Sequence, residues 1–252
     1  MRLRRECLRH ALQTRAGRCL VCGRLALFLV TDPEHIRENA WCVWCGSCAR
    51  SRHVAKCVVQ SLPQHGLRCA GDLAGAHSLR IYNMSAQGCF AEIWGVCPHI
   101  TYSEYLDGVP SGDSRNGILC EDVQCFSFED SSFDLIISED VFEHVEDYRK
   151  GFWEVRRVLR PGGHHIFSVP VGFAHPTLAR FETQGSHEVS RLPIEYHGDP
   201  IRGQIPVRTS FGYDLLDFLG SLGFEASLEI SRYDEDRRFG TFDCATFVTR
   251  RC

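Results

Sequence analysis

The chain has no long hydrophobic run. Its longest, Leu25 to Val30, is far too short to span a bilayer, and no basic-then-apolar segment precedes it. A membrane span and an export signal are therefore not expected, and a cytoplasmic protein is. Internal repeats and low-complexity tracts are also missing, which argues against a solenoid or a compositionally biased chain. So is a strong net charge: the value of −4 speaks against a wholesale nucleic-acid binder. What charge there is lies unevenly, with seven Arg against the single acid Glu6 in residues 1–24. That run reads as a solvated arm or, alternatively, as an arm that binds phosphates. With 44% hydrophobic and 24% charged residues in 252, the composition is that of one ordinary globular domain and a small appendage.

Cysteine, by contrast, is abundant, with fourteen residues. In a chain of this size without an export signal, metal binding or reduced core thiols are expected before disulfides. Cys19-Leu-Val-Cys22-Gly23 and Cys42-Val-Trp-Cys45-Gly46 are two Cys-x-x-Cys-Gly turns. Two intervening residues let one tight turn aim both sulfurs at a single tetrahedral ion, and the following Gly permits the positive φ such a turn needs. Cys19, Cys22, Cys42 and Cys45 are the expected zinc ligands, with Cys48 as a substitute for one of the second pair. Four thiolates fill a zinc ion's coordination sphere, so the site is expected to be structural. Cys89, Cys97, Cys120, Cys125 and Cys244 sit in apolar surroundings and read as small buried hydrophobes. A helix with Val54, Ala55, Val58 and Val59 at helical spacing follows the second turn, and Pro63 with Gly66 places a boundary near residue 65.

Residues 66–252 alternate strand and helix signals. Strands are expected at Leu79–Asn83, His99–Glu104, Gly117–Cys120, Phe133–Ser138 and His165–Val169. The fourth is a continuous apolar run of the kind a doubly covered parallel strand shows. Asp147 caps a helix carrying Tyr148, Phe152, Val155 and Leu159 on one face, and Pro161-Gly162-Gly163 ends it. Residues 170–210, rich in Pro, Gly and His, read as an inserted lid or substrate loop. A helix from Leu215 closes at Gly223, and two final strands around Phe224–Ile230 and Phe242–Val248 are joined by a charged turn. A strand pair of that kind implies an antiparallel edge on an otherwise parallel sheet.

The segment from Phe126 to Val169, with its Phe-Asp-Leu-Ile-Ile-Ser-Glu-Asp strand and loop and its Arg157-Val-Leu-Arg-Pro-Gly-Gly turn, resembles class I S-adenosylmethionine-dependent methyltransferases of type 11. The resemblance covers roughly residues 75–250. It implies a Rossmann-like α/β sheet, mostly parallel with an antiparallel C-terminal strand, behind the small N-terminal zinc-binding segment. By the same resemblance Glu104 meets the ribose hydroxyls, Asp122 lies by the adenine, and Ser138, Glu139 and Asp140 face the methionine part and the acceptor. The loop after the first strand departs from the family's acid-Gly-x-Gly-x-Gly pattern. Tyr82, Asn83 and Gly88 stand there, with Asn83 in the acid's place.

Methyl transfer from a sulfonium is an in-line displacement in which the protein supplies alignment, a dry pocket and, for a hydroxyl acceptor, a proton acceptor. His197, in the presumed substrate loop with Asp199 two residues on to orient its ring, is the first candidate base, and His144 the second. The resemblance points to a methyltransferase acting on a small-molecule, natural-product or glycan acceptor, with oxygen the expected atom. An RNA methyltransferase gripping phosphates with the zinc-bearing head, or a scaffold that has lost its cofactor, are the alternatives. Oligomeric state is not legible.

Overall fold

The computed structural model describes residues 15–32, 34–184, 187–231, 238–241 and 244–252. Most of the Arg-rich arm lies outside them.

Three antiparallel strands form the head: β1 (Arg15–Arg18), β2 (Leu25–Leu29) and β3 (Trp41–Cys42). The apolar run seen in the sequence is β2. It alternates, burying Ala26 and Phe28 while Leu25, Leu27 and Leu29 face out. Helix α1 (Ala49–Ser61) follows directly. In the body come β4 (Ile81–Asn83), α2 (Gly88–Trp94), β5 (Ile100–Tyr102), β6 (Phe133–Glu139), α3 (Tyr148–Val158), β7 (Leu159–Ser168), α4 (Leu215–Ser221), β8 (Phe224–Ile230) and β9 (Ala245–Arg251).

The six strands of the body lie in the order β8-β9-β7-β6-β4-β5. The ladders β5/β4, β4/β6 and β6/β7 are parallel, whereas β9 runs antiparallel to both β7 and β8. This is the mostly parallel sheet with an antiparallel C-terminal hairpin that was expected. Both faces are covered, which is why β6 buries its residues continuously instead of alternating. One face packs Ile81, Leu135 and Ile166 against Val54 and Val58 of α1 and Phe90 and Trp94 of α2. The other packs Ile136, Phe167 and Phe247 against Phe152 and Val155 of α3 and Leu215 and Leu219 of α4. Phe28, Ala40 and Cys42 of the head belong to the first cluster, so the apolar interior runs on across residue 65. Helix α1 lies on β7 and β9, and His53 Nδ1 sits 2.7 Å from Thr246 Oγ1.

Local signals govern the ends of several elements. The Asp147 carboxylate accepts from the N–H groups of Arg149 and Lys150 at 3.1 and 3.2 Å, the cap expected of α3. The helix ends at Val158, with two residues still to go before the expected stop at Pro161, and Leu159 opens β7, which carries the Pro-Gly-Gly segment inside it. The expected third strand is not a ladder of the sheet. Asn116 and Gly117 both take positive φ, and the pair turns Ser114–Arg115 back on Ile118–Leu119 as a tight hairpin. A single parallel bridge, Glu104 to Cys120, joins this segment to the sheet edge. Residues 171–212 form short strand pairs, among them Tyr196–Asp199 with Gly203–Pro206. Cys120 and Cys244 are buried as expected, Cys89 and Cys97 half-buried, and Cys125 is exposed, so it is not a core thiol. No helix among the described residues is long and apolar enough to cross a membrane.

Candidate active site

Chain order reverses between β4 and β6: from β4 the path goes out to β5, then returns to β6 on the other side. Ligands of open α/β sheets bind beyond the carboxyl ends of strands at such a point. Two chambers open there, sharing Met84, Val141 and His144. The smaller, about 270 Å³, is walled by Tyr82, Ser103, Asp122, Gln124 and Phe126. The larger, about 580 Å³, is walled by Glu104, Glu139, Asp140, His197 and Asp199.

Most residues expected at the cofactor border this cleft. Tyr82 is buried, with its hydroxyl 2.6 Å from Ser103 Oγ. Asn83 is buried too and donates from Nδ2 to the Ser85 carbonyl at 2.6 Å, holding the first loop in its turn. Glu104 Oε1 accepts from Ser85 Oγ and the Ala86 N–H at 2.9 and 2.8 Å. Burial holds the Glu104 carboxyl above its ordinary range. Asp122 receives the Gln124 backbone and side-chain N–H groups at 2.9 and 3.2 Å. Gly88 has φ +82, and a Cβ built on it would meet nothing within 4 Å, but it lines neither chamber: with Asn83 and Ser138 it borders a separate pocket that also touches Glu139. Ser138 turns the other way: its hydroxyl lies 2.9 Å from His165 Nε2 in the interior.

Sequence reasoning missed the head's part in this cleft. Arg37 reaches Asp140 with two nitrogens, at 2.6 and 2.9 Å. Arg50, in the first turn of α1, binds Glu38 at 2.9 and 3.1 Å and stands 3.4 Å from Asp140 and 3.8 Å from Glu139. Burial would push Asp140 up, but Arg50 and Arg37 outweigh it and hold the carboxyl well below its ordinary range. Glu139 goes the other way: burial raises it and Arg50 offsets this only in part. Two guanidiniums thus face three carboxylates at the end of β6. Nothing local marks Arg37 or Arg50 as cleft residues, because each meets Asp140 ninety or more residues away.

The histidines expected to act as bases meet. His197 Nδ1 lies 3.2 Å from His144 Nε2, with the rings edge to face. Glu143 Oε1 lies 3.6 Å from His197 Nδ1 and 3.7 Å from His144 Nε2. The carboxylates facing the His197 ring are Glu143 and Glu195, the latter 3.5 Å from Nε2, and not Asp199. Asp199 instead caps its own hairpin, accepting the Ile201 and Arg202 N–H groups at 2.8 and 2.6 Å, which corrects its expected role. Burial, reinforced by the charge of Asp140, pushes Glu143 up to about 7, and Glu143 in turn holds His197 above the usual imidazole range. Burial lowers His144. The missed signal was an acid set in an apolar turn, Val141-Phe142-Glu143-His144-Val145.

In the head, Cys19, Cys22, Cys42 and Cys45 place their sulfurs within 4.8 Å of one another, and Cys48 stands apart as the residue before α1. The two turns are alike. Gly23 N–H donates to Cys19 O at 2.8 Å and Gly46 N–H to Cys42 O at 2.9 Å, with both glycines at positive φ as expected.

The sheet order, its antiparallel C-terminal hairpin and a cleft at the strand-order reversal define a Rossmann-like class I methyltransferase fold. Residues 82–167 match the family described as "Methyltransferase domain", type 11. Phosphoethanolamine N-methyltransferase 2 of Caenorhabditis elegans is 39% identical over 51 residues, 20% of this chain and 12% of that protein. Norajmaline N-methyltransferase of Rauvolfia serpentina is 26% identical over 148 residues, 59% of this chain and 40% of that one. The chain therefore spans less than half the length of either relative. Among solved structures, an amino pentose methyltransferase of Micromonospora echinaspora involved in calicheamicin biosynthesis aligns at TM-score 0.47 and 12% identity, covering 82% of this chain and 93% of that one.

Proposed function

We propose that the protein is an S-adenosylmethionine-dependent methyltransferase acting on a small-molecule, natural-product or glycan acceptor, with a hydroxyl as the methylated group. The observation that carries the reading is the cleft at the β4/β6 reversal, walled by carboxylates on both sides and opening onto the Glu143–His144–His197 cluster.

The residues present fit the cofactor. An acid-lined cleft suits a ligand that carries a positive sulfur, and Glu104 suits ribose hydroxyls because a carboxylate accepts two hydrogen bonds. Asp122 with Gln124 offers polar edges beside the aromatic wall of the smaller chamber. Tyr82, Asn83, Ser138, Glu139 and Asp140 shape the loops around it. When bound, S-adenosylmethionine supplies an electrophilic methyl group. The chain's own part is to hold the acceptor in the larger chamber, exclude water under the 171–212 segment and take the acceptor's proton at the histidine cluster. His197 is the half-exposed member of that cluster and so the one an acceptor reaches.

Zinc in the four-cysteine cluster completes the proposal as a structural ion. Zinc–sulfur bonds of about 2.3 Å in a tetrahedron put sulfurs roughly 3.8 Å apart, and Cys19 and Cys45 stand at 3.7 Å. An amine acceptor is the second reading, favoured by the two N-methyltransferase relatives.

Calorimetric titration with S-adenosylmethionine tests the core of the reading: one binding event per chain is expected, and absence of both heat and thermal stabilisation would leave a scaffold. His197→Ala should abolish turnover while cofactor binding survives. Unchanged turnover would remove His197 from the mechanism. Cofactor or acceptor affinity falling steeply with salt would favour an RNA acceptor instead.

A further inference from the structure

We infer that Glu143, His144 and His197 hold one divalent first-row metal ion at the mouth of the larger chamber, a second metal site separate from the four cysteines. Their ligand atoms stand 3.2, 3.6 and 3.7 Å apart. Ligands about 2.1 Å from a common ion lie roughly 3.0 to 3.4 Å from one another, so the three need to move inward by only a few tenths of an ångström. Two imidazoles and a carboxylate are a donor set for such ions and leave open positions.

Three further observations point to a cation in this place. Glu143 is 1% exposed, and neither carboxylate oxygen has a hydrogen-bond partner. A buried carboxylate left in that state is costly unless a cation answers it. His144 Nδ1 lies 2.8 Å from the Pro206 carbonyl, an acceptor, so Nδ1 carries the proton and Nε2 presents its lone pair to the cluster. His197 is arranged alike, with Nε2 toward the Glu195 carboxylate and Nδ1 toward the cluster. Histidines that bind metals characteristically direct their other nitrogen at a carboxylate or a backbone carbonyl. If His197 Nδ1 were also unprotonated, the two rings would set lone pair against lone pair at 3.2 Å, a contact that a shared metal ion or a proton on His197 relieves.

What the ion does rests on the methyltransferase reading. At an open position it would bind the acceptor's hydroxyl and raise its acidity, so that in the metal-bound form the proton would leave to solvent and His197 would serve as a ligand in place of the base. Its binding does not depend on that reading.

The test uses the full chain loaded with zinc in the head and titrated with Ni2+ alone by calorimetry, without S-adenosylmethionine. One nickel per chain is expected beyond the zinc already present. Glu143→Gln and His197→Ala should each weaken binding at least tenfold while zinc content and melting temperature stay at the wild-type values, which shows that the variants fold. No saturable nickel binding by the wild type, or equal binding by both variants, overturns the site and leaves a shared proton as the relieving cation. The same preparation titrated with S-adenosylmethionine separates the two readings. Cofactor without nickel removes the metal alone, and nickel without cofactor removes the methyltransferase reading alone.

Discussion

Arg52 is the largest fully buried side chain among the described residues. Its guanidinium donates to the carbonyls of Ala40, Ser47, Phe239 and Gly240 and stacks over Phe28 at 4.0 Å, so one side chain ties the second cysteine turn to the segment before β9. Arg52→Met keeps the volume but strips four carbonyls of their donor and removes the buried cation beside the thiols. A loss of about 3 kcal/mol of stability is expected, together with faster loss of zinc to a chelator, both measurable by denaturant titration and metal release. Wild-type values for both would show the contact to be dispensable. His165 offers a pH-dependent case. It is fully buried on β7, and burial lowers its pKa to about 3. Unfolded, it titrates near 6.5, so below that pH the unfolded chain gains a proton that the folded one refuses. Its contribution therefore falls as pH drops from about 6.5 toward 3, by about 1.4 kcal/mol per pH unit, and is flat above. In His165→Asn that part of the acid slope should vanish, and an unchanged slope would assign it to other groups.

At the scale of elements, the network of Arg37, Arg50, Glu38, Glu139 and Asp140 fastens the head to the end of β6, where the sequence pattern had placed acids for the cofactor. Asp140→Asn distinguishes the two roles. If Asp140 chiefly joins head to body, stability falls by about 2 kcal/mol and S-adenosylmethionine affinity changes little. A tenfold loss of affinity at unaltered melting would make it a cofactor contact instead. The division between what was legible in the sequence and what was not follows the range of the forces. The Asp147 cap, the Gly223 stop, the buried run of β6 and the two Cys-x-x-Cys-Gly turns are decided within a few residues, and the chain shows them openly. The third strand was misread because Asn116-Gly117, a local hairpin signal, was passed over in favour of the apolar pair that follows it. Arg37 and Arg50 carry no local mark for their meeting with Asp140, which only the sheet order brings to them; Glu195 stands two residues from His197 and was simply passed over. His144 and His197 were legible as a pair of candidates. Their meeting point at Glu143 was not, and neither was the diversion of Asp199 to its own hairpin.

Taken whole, the molecule has no seam in its apolar interior where the head ends. Phe28, Ala40 and Cys42 pack in the same cluster as Ile81, Leu135 and Ile166, and α1 belongs at once to the second cysteine turn and to the sheet. If the four cysteines hold zinc as proposed, a short segment stitched to a larger body in this way would not lose the ion without consequence for the body. When the four thiolates are released, Phe28 and Arg52 lose their frame, and the face of the sheet under α1 is exposed along with them. Ion binding to the folded state alone adds to the stability of everything that unfolds with it. Zinc removal is therefore expected to lower a single cooperative melting transition, with the far-ultraviolet signal of the body and the fluorescence of Trp41 and Trp44 in the head moving together. S-adenosylmethionine at a hundred times its dissociation constant should raise that same transition by about 2.7 kcal/mol, observed at both probes. Two separate transitions, with the body's midpoint indifferent to zinc, would mean that the head folds as its own unit and that the contacts across α1 are too weak to couple them.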